Sequence, residues 1–194
     1  MRLYLDTSAI ISFFDQNSEF HANAKKLFQH PRLELYSGII AVLELESVIS
    51  RNLGLFITNS DQEGKNLFKT LNDSEKIQII AQYCFNRLGI TLVAPVSIEK
   101  LDFNHTLYDI TNTNHLSLQL NRELKFRTLD AIQIASAVEL RIYSKISIEY
   151  FVTNDINILQ NKQGLYQKAR ILPISTDELY EILESPETNT ERRA

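Results

Sequence analysis

The chain has 194 residues, of which 44% are apolar, and a formal net charge of −4. This length and apolar content predict a globular fold with a substantial core and exclude a disordered chain, while the acidic balance excludes general packaging of nucleic acid by a basic surface. No run approaches the ~20 apolar residues of a membrane span, no secretory leader is recognisable, and the lone Cys84 rules out an intrachain disulfide and favours the cytoplasm.

The first half of the chain alternates predicted strands and helices. RLYLD (2–6) is typical of a strand, and Thr7 or Ser8 is expected to cap the helix that follows it. Gly54 and Gly89 are each expected to end a helix. Further helices are predicted over 20–29, 39–54, 60–71 and 74–88, the last capped by Asp73 or Ser74, and extended segments over 33–37 and 91–95.

The second half continues the same alternation. Its polar-amphipathic segment 97–120 is predicted to be helical in pieces. Helices are also predicted over 129–144, just after 155 and over 176–184, strands over 146–155 and 169–175, and a disordered tail over 185–194. Strands separated by helices predict an α/β fold, a three-layer α/β/α sandwich with a mainly parallel central sheet. Such sheets carry their chemistry at the carboxyl ends of the strands.

Two acids lie at those ends. In RLYLD, Leu3 and Leu5 face one side of the strand, and Tyr4 and Asp6 face the other. Asp155 has the same placement as Asp6, because it follows the apolar strand that ends in FVTN. An acid at such a point either caps the next helix or takes part in chemistry at the sheet edge. The residues alone leave both interpretations open.

Two further acids lie on predicted helices. Asp130 falls inside the apolar arc of its helix, where an unpaired carboxylate costs several kcal/mol unless it has a partner, a proton or a metal ion. Its place in the first turn gains at most about 1 kcal/mol from the helix dipole, too little to explain the burial. Glu44 and Glu46 lie at opposite edges of the buried arc of their helix, and spacing does not choose between them.

A parallel sheet would bring Asp6, Asp130 and Asp155 together, and crowded carboxylates either take up protons or hold a divalent cation. Mg²⁺ and Mn²⁺ suit oxygen ligands. Such a cation activates water against a phosphodiester and offsets charge on the phosphate oxygens. The acids together therefore favour a divalent-cation site at this edge of the sheet, whose bound water can attack a phosphodiester.

Four segments resemble, in this order, the PIN domain, and in particular VapC-type toxin ribonucleases: LYLDTSAIISFF, IIAVLELESVISR, LKFRTLDAIQIASAVEL and FVTNDINIL. The resemblance assigns the family's catalytic and metal-binding acids to Asp6, to Glu44 rather than Glu46, to Asp130 and to Asp155. The interval from Glu44 to Asp130 is long for the compact toxins, which predicts a helical insertion at about 56–127 within a single domain spanning 1–184.

The resemblance also implies an activity and partners. It implies an endoribonuclease that uses Mg²⁺ or Mn²⁺, leaves 5′-phosphate and 3′-hydroxyl ends, forms a homodimer and binds a small antitoxin protein over its active site in the cytoplasm. The candidate substrate-binding residues are hydroxyls, amides and cations near the acids: Thr7, Ser8, Arg51, Lys125, Arg127, Thr153 and Asn154. Their alternatives are helix caps for the hydroxyls, turn formation for Thr153 and Asn154, and solvated surface charge for the cations.

Two other functions stay open. A phosphatase with an aspartyl intermediate would also use an acid after the first strand, but it usually has a second acid two residues on, where this chain has Ser8. A non-catalytic PIN-like domain would bind RNA or protein without cleavage, although such a scaffold has no reason to tolerate crowded carboxylates.

Overall fold

The computed structural model describes residues 1–95 and 97–185. In chain order, their elements are β1 (Arg2–Leu5), α1 (Thr7–Phe14), α2 (His21–Phe28), β2 (Glu34–Gly38), α3 (Ile40–Arg51), α4 (Leu53–Asn59), α5 (Gln62–Phe68), α6 (Asp73–Leu88), β3 (Thr91–Val93), β4 (Ile98–Phe103), β5 (Thr106–Thr111), α7 (Asn112–Leu124), α8 (Thr128–Tyr143), β6 (Tyr150–Val152), α9 (Ile156–Gln160), α10 (Lys162–Ala169), β7 (Pro173–Ile174) and α11 (Thr176–Glu184).

The central sheet has five strands in the order β3-β2-β1-β6-β7, and every neighbouring pair is parallel. The predicted α/β sandwich with a mainly parallel sheet is therefore confirmed. β1 lies in the middle, and the chain proceeds from it first toward β2 and later toward β6. Such a reversal of strand order leaves a crevice at the carboxyl ends of the strands, where ligands bind in open α/β sheets.

Helices cover both faces of the sheet and enclose two apolar cores. Leu3 and Leu5 pack into the core that also contains residues of α1, α2, α3, α6 and α11. Tyr4 points into the other core, with residues of α7, α8, α9 and α10, and its ring stacks on Phe151 with the centroids 5.3 Å apart. The alternation predicted for β1 is thus confirmed, and it places the Tyr4 hydroxyl beside α8.

Several helix boundaries differ from the sequence prediction. The helix predicted over 39–54 ends at Arg51, because Asn52 leaves the helical conformation (φ −132°, ψ 35°), and Gly54 lies inside α4 instead of ending a helix. Asn72, not the predicted Asp73 or Ser74, caps α6 through a reciprocal capping box. Gly89 does end α6, with a positive φ of 63°.

The prediction of helix across 97–120 is wrong for 98–111, where β4 and β5 form an antiparallel hairpin. Its two-residue turn consists of Asn104 and His105, both at positive φ (53° and 60°). This turn geometry matches the right-handed twist of the two strands and so outweighs helical periodicity. Only the last part of the segment is helical, as α7.

The region 56–127 also differs from a purely helical segment. It contains α5, α6 and α7, but also the hairpin and β3, which is the edge strand of the central sheet. Within residues 1–95 and 97–185, no helix has the length and apolar character that crossing a bilayer requires. Most of the predicted tail, 186–194, lies outside the described residues.

Candidate functional site

A cleft of about 370 Å³ opens at the carboxyl end of the central strands. Its lining includes the four predicted acids, Asp6, Glu44, Asp130 and Asp155. They reach it from the end of β1, from α3, from the first turn of α8 and from the residues after β6. The fold thus brings together acids that lie as much as 149 positions apart in the chain, from 6 to 155.

Asp6 forms the floor of the cleft and is only 6% exposed. Its Oδ1 accepts a hydrogen bond from the backbone N–H of Thr7 (2.8 Å), which makes Asp6 the N-cap of α1. Its Oδ2 accepts from the hydroxyls of Ser8 and Thr153, each at 2.7 Å. Burial raises the pKa of Asp6, these hydrogen bonds oppose the rise, and the nearby charge of Glu44 adds to it. The carboxylate is therefore held in one orientation at an electrostatic cost.

Asp130 stands half-buried at the start of α8. Burial, followed by the negative charges of Asp155 and Asp6, raises the pKa of Asp130 to about 6, while Arg127 acts in the opposite direction. Asp155 caps α9, since its Oδ1 accepts from the backbone N–H of Asn157 at 2.7 Å. The capping role weighed for Asp155 is present, and the same side chain also lines the cleft.

Glu44 and Glu46 point to different places. Glu44 lines the cleft, and its Oε2 accepts from the Thr7 hydroxyl (2.6 Å) and from Nε2 of Gln133 (2.7 Å). Glu46 lines a separate groove between α3 and α6. The structure thus separates two acids that spacing left equivalent.

Comparison with known proteins gives the cleft a family context. The sequence model of the PIN domain matches residues 3–165, most of the chain. The chain belongs to the PIN domain family. No curated protein matches it. Among solved structures, VapBC2 from Rickettsia felis, bound to a DNA fragment from its promoter, is similar at 12% identity and a TM-score of 0.49, over 90% of this chain and 98% of that one.

Nucleases with a PIN domain generally use a divalent metal ion, and the cleft can be tested for its fit to one. In the part of the chain that the structure describes, no three acidic, cysteine or histidine side chains stand close enough to form a ready-made metal cage. Mg²⁺ does not require such a cage, because it keeps several waters and takes only one or two carboxylates. The acids of this PIN domain offer oxygen donors alone, so they fit a hydrated Mg²⁺ or Mn²⁺.

Four of the seven candidate substrate-binding residues, Thr7, Ser8, Arg51 and Arg127, line the cleft. Lys125 does not line it and instead forms the C-cap of α7. The hydroxyls of Thr7 and Ser8 do not cap α1 as expected, but donate to Glu44 and Asp6 instead. The two arginines are exposed and lie on the α3 and α8 sides of the acids.

The side chains of the other two candidates, Thr153 and Asn154, do not line the cleft and instead contact neighbouring residues. Thr153 is fully buried and donates to Asp6. The Asn154 amide donates to the Ser12 hydroxyl (2.8 Å) and accepts from the backbone N–H of Thr176 (3.1 Å), which ties the end of β6 to α1 and α11. Thr153 thus contacts the Asp6 carboxylate directly, whereas the Asn154 side chain holds the neighbouring elements together.

Sequence reasoning missed Gln133, which is fully buried in α8 one turn after Asp130 and contacts Glu44. The signal was available, because a polar residue inside an apolar helical arc is the same observation that singled out Asp130. It also missed the walls of the cleft, which are apolar and partly exposed: Ile11, Ile40, Leu43, Val48 and Leu129.

Proposed function

We propose that this PIN domain is a metal-dependent endoribonuclease that hydrolyses RNA phosphodiester bonds, and that it is the toxin of a toxin–antitoxin pair. The single observation that carries the proposal is that one acid from each of the four family-like segments lines the same cleft. Membership of the PIN domain family supports the same conclusion.

The acids share the task of holding Mg²⁺ or Mn²⁺. A bound divalent cation supplies positive charge that activates water and offsets charge on the phosphate. Asp6 and Glu44 are fixed by hydrogen bonds and need no reorganisation when a cation arrives. Asp130 and Asp155 repel one another across the cleft, and a cation relieves that repulsion.

The remaining residues bind and position the RNA. Arg51 and Arg127 line the cleft, and we expect them to hold phosphates of the RNA, since guanidinium groups match phosphate geometry. Leu43 and Leu129 form exposed apolar walls of the cleft. The substrate therefore meets positive charge at the rim and carboxylates at the floor.

Cleavage of a structured RNA in Mn²⁺ tests the activity. Wild type should cut it and EDTA should stop the cut. D6N and D130N should each lower the rate of cleavage by about 100-fold or more, which is the effect of removing one electrostatic stabiliser of a transition state. E46Q is the matched control, because Glu46 lies on the same helix as Glu44 but lines another groove, and it should retain activity.

Two outcomes would contradict the proposal. If D6N and D130N cut as well as wild type, the site is wrongly assigned. Tight RNA binding without cleavage and without sensitivity to EDTA would indicate a non-catalytic PIN-like domain instead.

The biological setting is part of the proposal and has its own test. The resemblance to VapC-type toxins leads us to propose a homodimer that acts in the cytoplasm and is inhibited by a small antitoxin. A short neighbouring gene for a DNA-binding protein is expected. Induced expression should be toxic alone and harmless when that neighbour is co-expressed, and harmless expression alone would contradict the toxin assignment.

A further inference from the structure

Gln133 is a fully buried amide, and its hydrogen bonds join four elements of the fold. Its Oε1 accepts from the Tyr4 hydroxyl on β1 (2.8 Å). Its Nε2 donates to Glu44 on α3 (2.7 Å) and to the Thr7 hydroxyl on α1 (3.1 Å). A buried amide left without partners is destabilising, so this complete set of partners fixes where the side chain can lie.

The chemistry of the partners also fixes which way round the amide stands. The Thr7 hydroxyl donates its one proton to Glu44, so it can only accept from Gln133, and the NH₂ end of the amide therefore faces Thr7 and Glu44. The Tyr4 hydroxyl donates to the other end of the amide, its oxygen, and so turns that end toward β1. The ring of Tyr4 is itself stacked on Phe151 and cannot easily move.

These hydrogen bonds engage one carboxylate oxygen of Glu44 and, among the described residues, leave the other without a donor. Thr7 and Gln133 both donate to Oε2. Within residues 1–95 and 97–185, no hydrogen bond is made to Oε1, which leaves that atom for the cleft. Gln133 also follows Asp130 by one helical turn, so the same amide ties the helix that carries Asp130 to the helix that carries Glu44.

We propose that Gln133 is a positioning residue: it holds Glu44 with one oxygen turned to the cleft, and so prepares this carboxylate to bind a divalent cation. The inference rests on the proposed function and adds the residue that sets the geometry of the cation site. Residues that orient metal ligands typically change metal affinity by about 10–100-fold when they are replaced.

The test is Mn²⁺ binding to the full chain, measured by isothermal titration calorimetry. Q133M keeps the length of the side chain and removes both amide atoms, and it should weaken Mn²⁺ binding about 10-fold or more. I134V is the matched control, because Ile134 is the next residue of α8 and equally buried but packs into the apolar core, and it should bind Mn²⁺ as wild type does.

A double-mutant cycle separates positioning from a purely structural effect. If Gln133 acts through Glu44, Q133M should cause no further loss of Mn²⁺ affinity in a chain that already carries E44Q. A further loss as large as that seen in wild type would overturn the proposal, as would a folded Q133M with wild-type affinity. If Q133M does not fold, Y4F takes its place, because it removes only the hydroxyl that orients the amide, and unchanged affinity in Y4F would overturn the proposal equally.

RNA cleavage by the same proteins distinguishes a failure of the role proposed for Gln133 from a failure of the proposed function. If wild type binds Mn²⁺ and cleaves RNA while Q133M equals it in both assays, only the role of Gln133 is refuted. A wild type that neither binds Mn²⁺ nor cleaves RNA would overturn the proposed function and this inference with it.

Discussion

Replacing Asp130 with asparagine should make the metal-free protein more stable at neutral pH while it abolishes cleavage. Burial and the charges of Asp155 and Asp6 raise the pKa of Asp130 from 3.8 to about 6. The folded state therefore holds this proton more tightly than the unfolded state does. Stability contributed by the protonated acid is fully present below pH 3.8 and is lost as the pH rises through 6.

The size of the loss follows from the two pKa values. One pKa unit corresponds to about 1.36 kcal/mol, so the rise from 3.8 to about 6 limits the loss of folding stability to about 3 kcal/mol. Asp130 is only half-buried, and solvent screening reduces the effect to about 1.5 kcal/mol. Since asparagine carries no charge at any pH, D130N should exceed wild type by about that amount at pH 7, a rise in Tm of roughly 3–6 °C for a chain of this size.

Urea unfolding in EDTA at pH 4, 5, 6 and 7 measures this difference. The two proteins should be similar at pH 4 and diverge as the pH rises to 7. D102N changes an exposed acid of β4 in the same chemical way, and it should stay within about 0.5 kcal/mol of wild type throughout. Parallel curves for wild type and D130N, or a D130N that is less stable at pH 7, would refute the electrostatic account of the cleft.

Two further predictions concern the support of the site and its rim. G38A should lower the free energy of unfolding in urea by about 1–3 kcal/mol, because the added Cβ would stand 2.5 Å from the buried hydroxyl of Tyr4. G54A is the control, because a Cβ at Gly54 meets no atom within 4 Å. Equal stability of the two variants would contradict the close packing around Gly38. R51Q and R127Q should each reduce the magnitude of the slope of log RNA affinity against log salt concentration by about 0.7. An unchanged slope would show that the replaced arginine does not contact a phosphate of the RNA.

The sheet and the layers were predictable because hydrophobic periodicity reports them directly. The alternation in RLYLD placed Leu3 and Leu5 in one core and Tyr4 in the other, as the structure has them. The hairpin over 98–111 was not predicted, since its exposed strands show little contrast between their two faces. Its signal is local, namely Asn104 and His105 in a turn that needs positive φ.

For the candidate site, sequence reasoning could identify the acids but not their partners. Asp130 stood out because a carboxylate in an apolar arc requires an explanation. Glu44 could not be told from Glu46 by spacing, and only tertiary packing directs one to the cleft and the other to a different groove. The hydroxyls of Thr7 and Ser8 resembled helix caps, yet Asp6 itself caps α1 and frees them to hold carboxylates.

If carboxylates from distant parts of the chain hold a divalent cation in one cleft, anomalous diffraction from crystals grown with Mn²⁺ should reveal that cation. We expect a manganese peak between Asp6 and Asp130 in wild type, and its loss in crystals of D130N. A wild-type map with no peak in the cleft, or with manganese bound only elsewhere on the surface, would contradict the proposed cation site.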